Sequence, residues 1–174
     1  MASPLPPDML NDIGVLKRRE IEARILAPLI SAFAAEFGRE RVAEITERVI
    51  VGIARDQGRA LAADMAGNTL AHFVKSQANW QKGDALTMEI LRVDDTTYDF
   101  DVTRCRYAEM YRALGIPELG AILSCGRDFA LGDGFNPDLT LTRTQTIMKG
   151  APCCDFRYRL ERSARPEEVP ASCS

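Results

Sequence analysis

Residues 85–104, ALTMEILRVDDTTYDFDVTR, decide the fold class of this chain. Apolar side chains alternate with polar ones on both sides of a polar centre, at Leu86, Met88 and Ile90 and again at Tyr98, Phe100 and Val102. Alternation at period two is typical of half-buried strands. The central Asp94-Asp95 pair favours a turn, because Asp side chains hydrogen-bond to nearby backbone groups there. The stretch therefore predicts an antiparallel β-hairpin.

Helical periodicity precedes this hairpin. Apolar residues recur at helical spacing over about 7–38, where Pro28 predicts a kink or a division into two helices, and again over about 39–66. A third, short helix is predicted over about 69–81. Gly83-Asp84 then breaks the helical pattern.

The pattern changes again after the hairpin. Helices are predicted over 107–114, ended by Gly115 and Pro117, and over 118–129. A strand over 139–148, a turn over 149–152 and a returning strand over 154–160 complete the chain. Because no βαβ alternation occurs, the order predicts an α+β fold, with N-terminal helices packed on an antiparallel sheet made of two hairpins with helices between them.

Length and composition suit one domain with one core, since the chain has 174 residues of which 46% are hydrophobic. We expect this domain over 11–164, between a flexible lead-in at 1–10 and a flexible tail at 165–174.

A net charge of −3 does not favour a nucleic-acid partner, and no apolar run reaches the roughly 18 residues of a membrane span. The apolar surface of the long N-terminal helices is compatible with a homodimer.

The start of the chain has neither the basic residues nor the apolar stretch of a signal peptide, so a cytoplasmic location is expected. Cysteines usually stay reduced there, and the five cysteines are interpreted as thiols or ligands. Cys173 falls in the predicted tail and receives no role.

Most of the residues that carry chemistry lie between Cys105 and Arg157. The string VTRCRYAEMYRALGIPELGAILSCGRDFALGDGFNP, followed by RTQTIMKGAPCCDFRY, resembles the L-2-amino-thiazoline-4-carboxylate hydrolase family. Its specific part combines a Cys-x2-Asp element at Cys125 and Asp128 with a Gly-x3-Cys-Asp-Phe element at residues 150–156. The resemblance implies a hydrolase-like domain that opens a small cyclic amidine, the thiazoline intermediate of a bacterial route to L-cysteine. The reaction class transfers better than the exact compound.

Hydrolysis of an amidine carbon requires a nucleophile, a proton carrier and a hold on the substrate. Cys105 follows a strand and precedes a helix, whose N–H groups can stabilise a thiolate. Cys125 and Asp128, three residues apart, share one helix face. We therefore predict Cys105 and Cys125 as candidate nucleophiles and Asp128 as the proton carrier. A buried cysteine that only fills space is the alternative interpretation.

The remaining candidates hold the substrate. Arg143 or Arg157 can clamp a carboxylate through a bidentate contact, and Arg143 is the predicted clamp. Adjacent strand residues face opposite sides, so at most one of Cys153 and Cys154 lines the pocket, and Cys154 is preferred because Cys-Asp-Phe is the motif-like part. The resemblance implies that Thr146 joins Cys154 on the opposite wall. Asn136 is added as a binding residue, although Asn136-Pro137 is also a typical turn.

The ending RTQTIMKGAPCCDF is also similar, more distantly, to the 4-vinyl reductase type of domain in bacterial sensors. Those domains often carry a Glu-x2-Cys-x7-Cys element that binds zinc. In this sequence Arg143 replaces the Glu and Thr146 replaces the first Cys, so only Cys154 remains of the three ligands. We expect no cofactor, and a metal held by thiolates and Asp128 is the less favoured alternative. A non-catalytic module that binds a small molecule is the alternative function.

Overall fold

The computed structural model describes residues 12–161, so both predicted terminal segments and Cys173 lie outside the described residues. The helices are α1 (Val15–Phe37), α2 (Arg39–Asp64), α3 (Leu70–Ser76), α4 (Ala78–Gln81), α5 (Arg106–Ala113), α6 (Pro117–Gly120) and α7 (Arg127–Phe135). The strands are β1 (Leu86–Val93), β2 (Thr97–Cys105), β3 (Leu139–Thr142) and β4 (Cys154–Leu160). A π-helical segment (Ala121–Cys125) joins α6 to α7, and a 3₁₀ turn (Ile147–Lys149) lies between β3 and β4.

The four strands form one antiparallel sheet in the order β1-β2-β4-β3. The hairpins β1-β2 and β3-β4 meet where β2 pairs with β4, and α5 to α7 lie between them in sequence. The predicted α+β class and the sheet of two hairpins are therefore confirmed.

The two central strands bury one face of the sheet. Tyr98 pairs with Tyr158, and Phe100 pairs with Phe156, whose rings stack with centroids 4.7 Å apart. Val102 pairs with Cys154 on the same face. Period-two alternation therefore directs the aromatic side chains, and Cys154 with them, toward the helices.

Two large clusters of buried side chains make most of the core of residues 12–161, and a small third cluster consists of Val15, Ala85 and Tyr107. One joins the sheet to α3 and α7 through residues that include Phe73, Leu131 and Phe135. The other lies among α1, α2, α5 and the π-helical segment, around Tyr111. Cys105 packs against both large clusters. The end of β2 therefore lies where the two parts of the core meet.

Glycines allow α2 and α7 to approach each other closely. A Cβ atom on Gly58 would lie 2.3 Å from the carbonyl oxygen of Leu131, and one on Gly134 would lie 2.0 Å from the carbonyl oxygen of Arg55. Both distances are far below a van der Waals contact, so any larger residue would force the helices apart. This crossing fixes the position of α7, which carries two of the charged residues described below.

Three predicted elements differ from the structure. The predicted strand over 139–148 ends at Thr142, because the backbone N–H groups of Thr144 and Gln145 donate to the Asp155 carboxylate instead of to a neighbouring strand. The helix predicted over 118–129 is divided into α6, the π-helical segment and α7. The helix predicted over 69–81 is likewise divided, into α3 and α4. Pro28 lies within α1, which continues to Phe37, so of the two outcomes predicted at this proline the division does not occur.

No helix among residues 12–161 combines the length and the apolar character needed to cross a membrane.

The helix crossing generates a test within a single helix. We expect Gly58→Ala to lower the free energy of unfolding by about 1–3 kcal/mol, because the added methyl group overpacks the contact with α7. A methyl group added to Gly52, also in α2, would have no neighbouring atom within 4 Å. Gly52→Ala should therefore raise the free energy of unfolding by up to about 1 kcal/mol through helix propensity. Urea titrations followed by circular dichroism measure both. Equal effects of the two substitutions would contradict the close crossing.

Candidate functional site

A cavity of about 80 Å³ lies between the sheet and the helices. Three thiols line it, those of Cys105, Cys125 and Cys154. The charged groups in its walls are those of Arg19, Arg127, Asp128 and Arg143. The mainly apolar part of the walls consists of Val15, Trp80, Leu86, Val102, Tyr107, Leu131 and Phe156. A second cavity of about 110 Å³ adjoins it and shares Arg19, Gln57 and Trp80. A space of this size excludes an extended ligand.

Cys105 lies at the junction of β2 and α5. Its Sγ caps the helix and accepts a hydrogen bond of 3.4 Å from the backbone N–H of Ala108. Burial raises the pKa of this thiol to about 11, and the N–H donors at the start of α5 oppose that rise. The expected thiolate stabilisation by the helix is therefore present but is outweighed by burial.

Cys125 and Cys154 approach the cavity from different elements. Cys125 ends the π-helical segment, and burial, reinforced by Asp128, raises its pKa to about 12. Cys154 begins β4, and its Sγ accepts a hydrogen bond of 3.2 Å from the N–H of Ile147. Burial also raises the pKa of Cys154. All three cavity thiols are therefore protonated at neutral pH, and a nucleophilic thiol here needs a base.

Asp128 forms an ion pair with Arg143 at the cavity wall. The Arg143 guanidinium also donates a 3.0 Å hydrogen bond to the Cys125 carbonyl. It lies between two aromatic rings, 5.2 Å from the centroid of Phe129 and 5.1 Å from that of Phe156. Arg143 is therefore held by four partners, which fix its position.

The Asp128 carboxyl group lies in a poorly solvated place although its side chain is 29% exposed. That residue lines the cavity, where water is restricted, and burial raises its pKa while the charge of Arg143 opposes the rise. Asp128 in turn raises the pKa of Arg143. A carboxyl group whose pKa is raised toward neutrality is suited to take up and return a proton.

Two further arginines reach the cavity, and the sequence interpretation did not identify them. Arg19 of α1 and Arg127 of α7 are only 5% and 6% exposed. Both contact the Glu22 carboxylate, Arg19 at 2.7 Å and Arg127 at 3.4 Å. Arg127 also donates to the carbonyl of Leu123 and to the side-chain oxygen of Gln57. The two buried guanidinium groups thus share one carboxylate.

The negative charge around Arg19 and Arg127 does not balance their positive charge. Burial, and then the neighbouring Arg19, lower the pKa of Arg127 to about 10, so the group remains charged at neutral pH in an unfavourable place. Burial raises the pKa of Tyr111 to about 12, and its hydroxyl has no hydrogen-bond partner among the described residues. A small anion in the cavity would relieve the unbalanced charge.

The structure brings five of the predicted site residues to one cavity: Cys105, Cys125, Asp128, Arg143 and Cys154. It does not bring Thr146 or Asn136 there. Thr146 is buried and caps the 3₁₀ turn, where its hydroxyl accepts a hydrogen bond from Lys149. Asn136 forms the predicted turn, donating to the Asn68 carbonyl and accepting from the N–H of Asp138.

A weak signal for Arg19 exists in the sequence. Val15, Arg19 and Ala23 are the buried residues of α1, and they follow one another at intervals of four. An arginine within such an apolar row lies on the inward face of its helix and needs a buried partner. Arg127 gives no comparable signal, because its partner Glu22 is 105 residues away.

No group of three or more His, Cys, Asp or Glu side chains within the described range is arranged to hold a metal ion.

A family model described as L-2-amino-thiazoline-4-carboxylic acid hydrolase matches residues 18–158, which is well over half of the chain. The family resemblance is therefore confirmed. A comparison with curated proteins gave no match.

The structure is similar to the crystal structure of the phenol-responsive sensory domain of the transcription activator PoxR with phenol. The TM-score is 0.51 at 11% sequence identity, and the similarity covers 78% of this chain and 73% of that chain. At this identity the similarity shows a shared fold.

The raised thiol pKa values generate a test in alkaline solution. Well below pH 9 the Cys125 thiol is neutral in both the folded and the unfolded chain. As the pH rises from 9.0 toward about 12, the thiol ionises in the unfolded chain first, so folding loses stability. Between pH 8 and pH 10 this loss is about 1 kcal/mol for one thiol. Urea titrations should therefore show a smaller loss over that interval for Cys125→Ala than for the unsubstituted chain, and equal losses would contradict the burial of this thiol.

Proposed function

The chain belongs to the L-2-amino-thiazoline-4-carboxylic acid hydrolase family, and from that premise we propose that it opens a small cyclic amidine that carries a carboxylate. The substrate is 2-amino-thiazoline-4-carboxylate or a related heterocycle, and the bond broken is a ring C–N bond. The proposal includes a cytoplasmic location and a place in bacterial cysteine metabolism.

One observation carries the proposal. A single cavity holds thiols, a carboxyl group with a raised pKa, and guanidinium groups that lack balancing charge. These are the three requirements of amidine hydrolysis: a nucleophile, a proton carrier and a hold on an anionic substrate. They come from α1, β2, the π-helical segment, α7, β4 and the segment after β3, so only the folded chain assembles them.

The reaction begins with a proton transfer. The thiol of Cys105 gives its proton to the Asp128 carboxylate as its sulfur bonds to the amidine carbon. The ring C–N bond then breaks, and Asp128 returns the proton to the leaving nitrogen. Water adds to the same carbon, the bond to the cysteine sulfur breaks, and the thiol is restored with a carbonyl group left on the product.

Cys105 is favoured over Cys125 as the nucleophile. The N–H groups at the start of α5 are directed at the Cys105 sulfur, and they stabilise the thiolate that forms during attack. Cys125 has the higher pKa, because Asp128 adds to the effect of burial. Cys125 remains the second candidate, and Cys154 contributes to the opposite wall.

The substrate carboxylate is assigned to Arg19 and Arg127 rather than to Arg143. Arg143 is already engaged by Asp128, by the Cys125 carbonyl and by two rings. Arg19 and Arg127 share Glu22, so that two buried guanidinium groups face one carboxylate. An incoming carboxylate would supply the negative charge that this corner of the cavity lacks. Arg143 instead orients Asp128.

A non-catalytic small-molecule module is the second candidate function. It is supported by the fold shared with a phenol-responsive sensory domain and by the protonated state of the cavity thiols. A module of this kind would return its ligand unchanged, whereas a hydrolase consumes it.

Consumption of the proposed substrate tests catalysis directly. We expect metal-stripped protein to consume 2-amino-thiazoline-4-carboxylate, with the opened product followed by chromatography. Cys105→Ala and Asp128→Asn should each lower kcat by at least about 100-fold, as expected for loss of a nucleophile or a proton carrier. Cys153→Ala is the control, since its sulfur faces Gln145 instead of the cavity.

The outcomes separate the candidates. Turnover that appears only when zinc or manganese is added would replace the thiol mechanism by a metal-assisted one. Unchanged turnover in Cys105→Ala, in Cys125→Ala and in Asp128→Asn would refute the proposed residues. Binding without consumption of any cyclic amidine or imide would support the sensor-like module.

Substitution of Arg19 tests the proposed contact with the substrate carboxylate. Arg19→Gln should weaken binding of the carboxylate substrate by about tenfold or more, because a charge-assisted contact is lost. Its effect on the uncharged carboxamide analogue should be small. Arg55→Gln, which breaks an exposed ion pair with Asp133, is the matched control. Isothermal titration calorimetry measures both ligands in chains that also carry Cys105→Ala, so that the substrate is not consumed, with circular dichroism to verify folding. Equal weakening for the two ligands would exclude Arg19 as the carboxylate contact.

A further inference from the structure

The hairpin of α1 and α2 extends away from the rest of the molecule. Between Pro28 and Val49 only Val42 is buried. Large apolar side chains are nevertheless concentrated on the two helices of this hairpin. Eight of them are between 40% and 62% exposed: Ile21, Ile25, Leu29, Phe33, Phe37, Ile45, Val49 and Ile53. We call these eight residues the hairpin face.

The hairpin face has a regular shape. Its five α1 residues follow one another at intervals of four, and so do its three α2 residues, so each helix presents a continuous ridge. A groove of mainly apolar side chains runs between the ridges, with Leu26, Ile30, Val42 and Ile50 among its lining residues. Six residues of the hairpin face also line this groove, so ridges and groove share one surface there: Leu29, Phe33, Phe37, Ile45, Val49 and Ile53.

The size of the face is that of a protein interface. The eight side chains together present on the order of 700 Å² of accessible surface, close to the ~800 Å² per partner of a standard interface. Monomeric proteins rarely leave a continuous apolar patch of this size in water. Long helices are, in addition, stabilised mainly by packing of their apolar face, yet within residues 12–161 the hairpin buries only Val42 between Pro28 and Val49.

We propose that a second copy of this chain covers the hairpin face, giving a twofold-symmetric dimer. A twofold interface uses the same surface on both partners, so that surface must complement itself. Here the α1 ridge of one copy enters the α1–α2 groove of the other, in the packing mode of ridges spaced by four residues.

The charges around the hairpin face agree with this partner. Exposed residues of both signs border it, namely Glu36, Arg41, Glu44, Glu47 and Arg48. A rim of mixed charge can pair with its own symmetry copy, whereas a rim of one sign would repel it.

The dimer has a consequence for the cavity. The first turns of α1 carry Val15 and Arg19 to the cavity wall, and Ala23 is the only other buried residue of that helix. A partner on the distal half of α1 would therefore hold the whole helix against the body of the protein. The dimer does not depend on the proposed reaction.

The test uses two leucines with nearly equal exposure. Leu29 in the hairpin face is 47% exposed, and Leu91 on the edge strand β1 is 50% exposed. Light scattering coupled to size-exclusion chromatography should give twice the 19.3 kDa chain mass for the full chain and for Leu91→Glu. Leu29→Glu should elute as a monomer. Because both copies carry the substitution, two charges are buried in one twofold interface, and the dissociation constant of the dimer rises on the order of 100-fold or more.

Circular dichroism verifies that Leu29→Glu is folded, and Ile25→Glu provides a second disrupted variant if it is not. A monomeric full chain at about 10 μM, where a standard interface is populated, would overturn the proposal. Equal dissociation by Leu29→Glu and Leu91→Glu would overturn it as well. So would a dimer that forms only after removal of residues 1–11 or 162–174, since the chain's own terminal segment would then be the natural cover of the face.

Discussion

The need to pair buried charge is the constraint on which the centre of this structure depends. Arg19, Arg127 and Arg143 all have buried guanidinium groups. An unpaired charge in a protein interior costs several kcal/mol, so each group must find partners from other elements. Glu22 joins α1 to α7, and Asp128 joins α7 to the segment after β3. The pairings therefore tie the helical layer to the sheet around a space that remains open.

The position of α7 determines how that space is divided. Gly134 of α7 and Gly58 of α2 bring the two helices together, so the successive residues Arg127 and Asp128 are directed to different neighbours. Arg127 meets Gln57 and Glu22 on the helical side, and Asp128 meets Arg143 on the sheet side. One end of the cavity is consequently positive and the other holds a proton carrier among thiols. A ligand with an anionic end and a reactive carbon would be oriented by this difference alone.

The sequence predicted most of the fold and the thiol side of the cavity, and the reasons are local. Alternation in β2 and β4 depends only on neighbouring residues, and it correctly directs Phe100 and Cys154 to one face. The end of β3 at Thr142 was not predictable, because it depends on the Asp155 carboxylate capturing two N–H groups across the loop. The arginine corner of the cavity was missed for the same reason. Arg127 and Glu22 become partners only after the chain has folded.

The protonated thiols connect the two candidate functions of the cavity. Burial keeps Cys105 and Cys125 neutral, which suits a cavity that only receives an uncharged ring. Catalysis needs the proton to leave, and the surroundings contain what that step requires: N–H donors on Cys105 and a carboxyl group of raised pKa. A carboxylate bound by Arg19 and Arg127 would also change this balance, because it would bring negative charge near the thiols and make their ionisation still harder. Transfer of the thiol proton to Asp128 during attack, rather than a thiolate formed beforehand, is therefore the route compatible with this cavity.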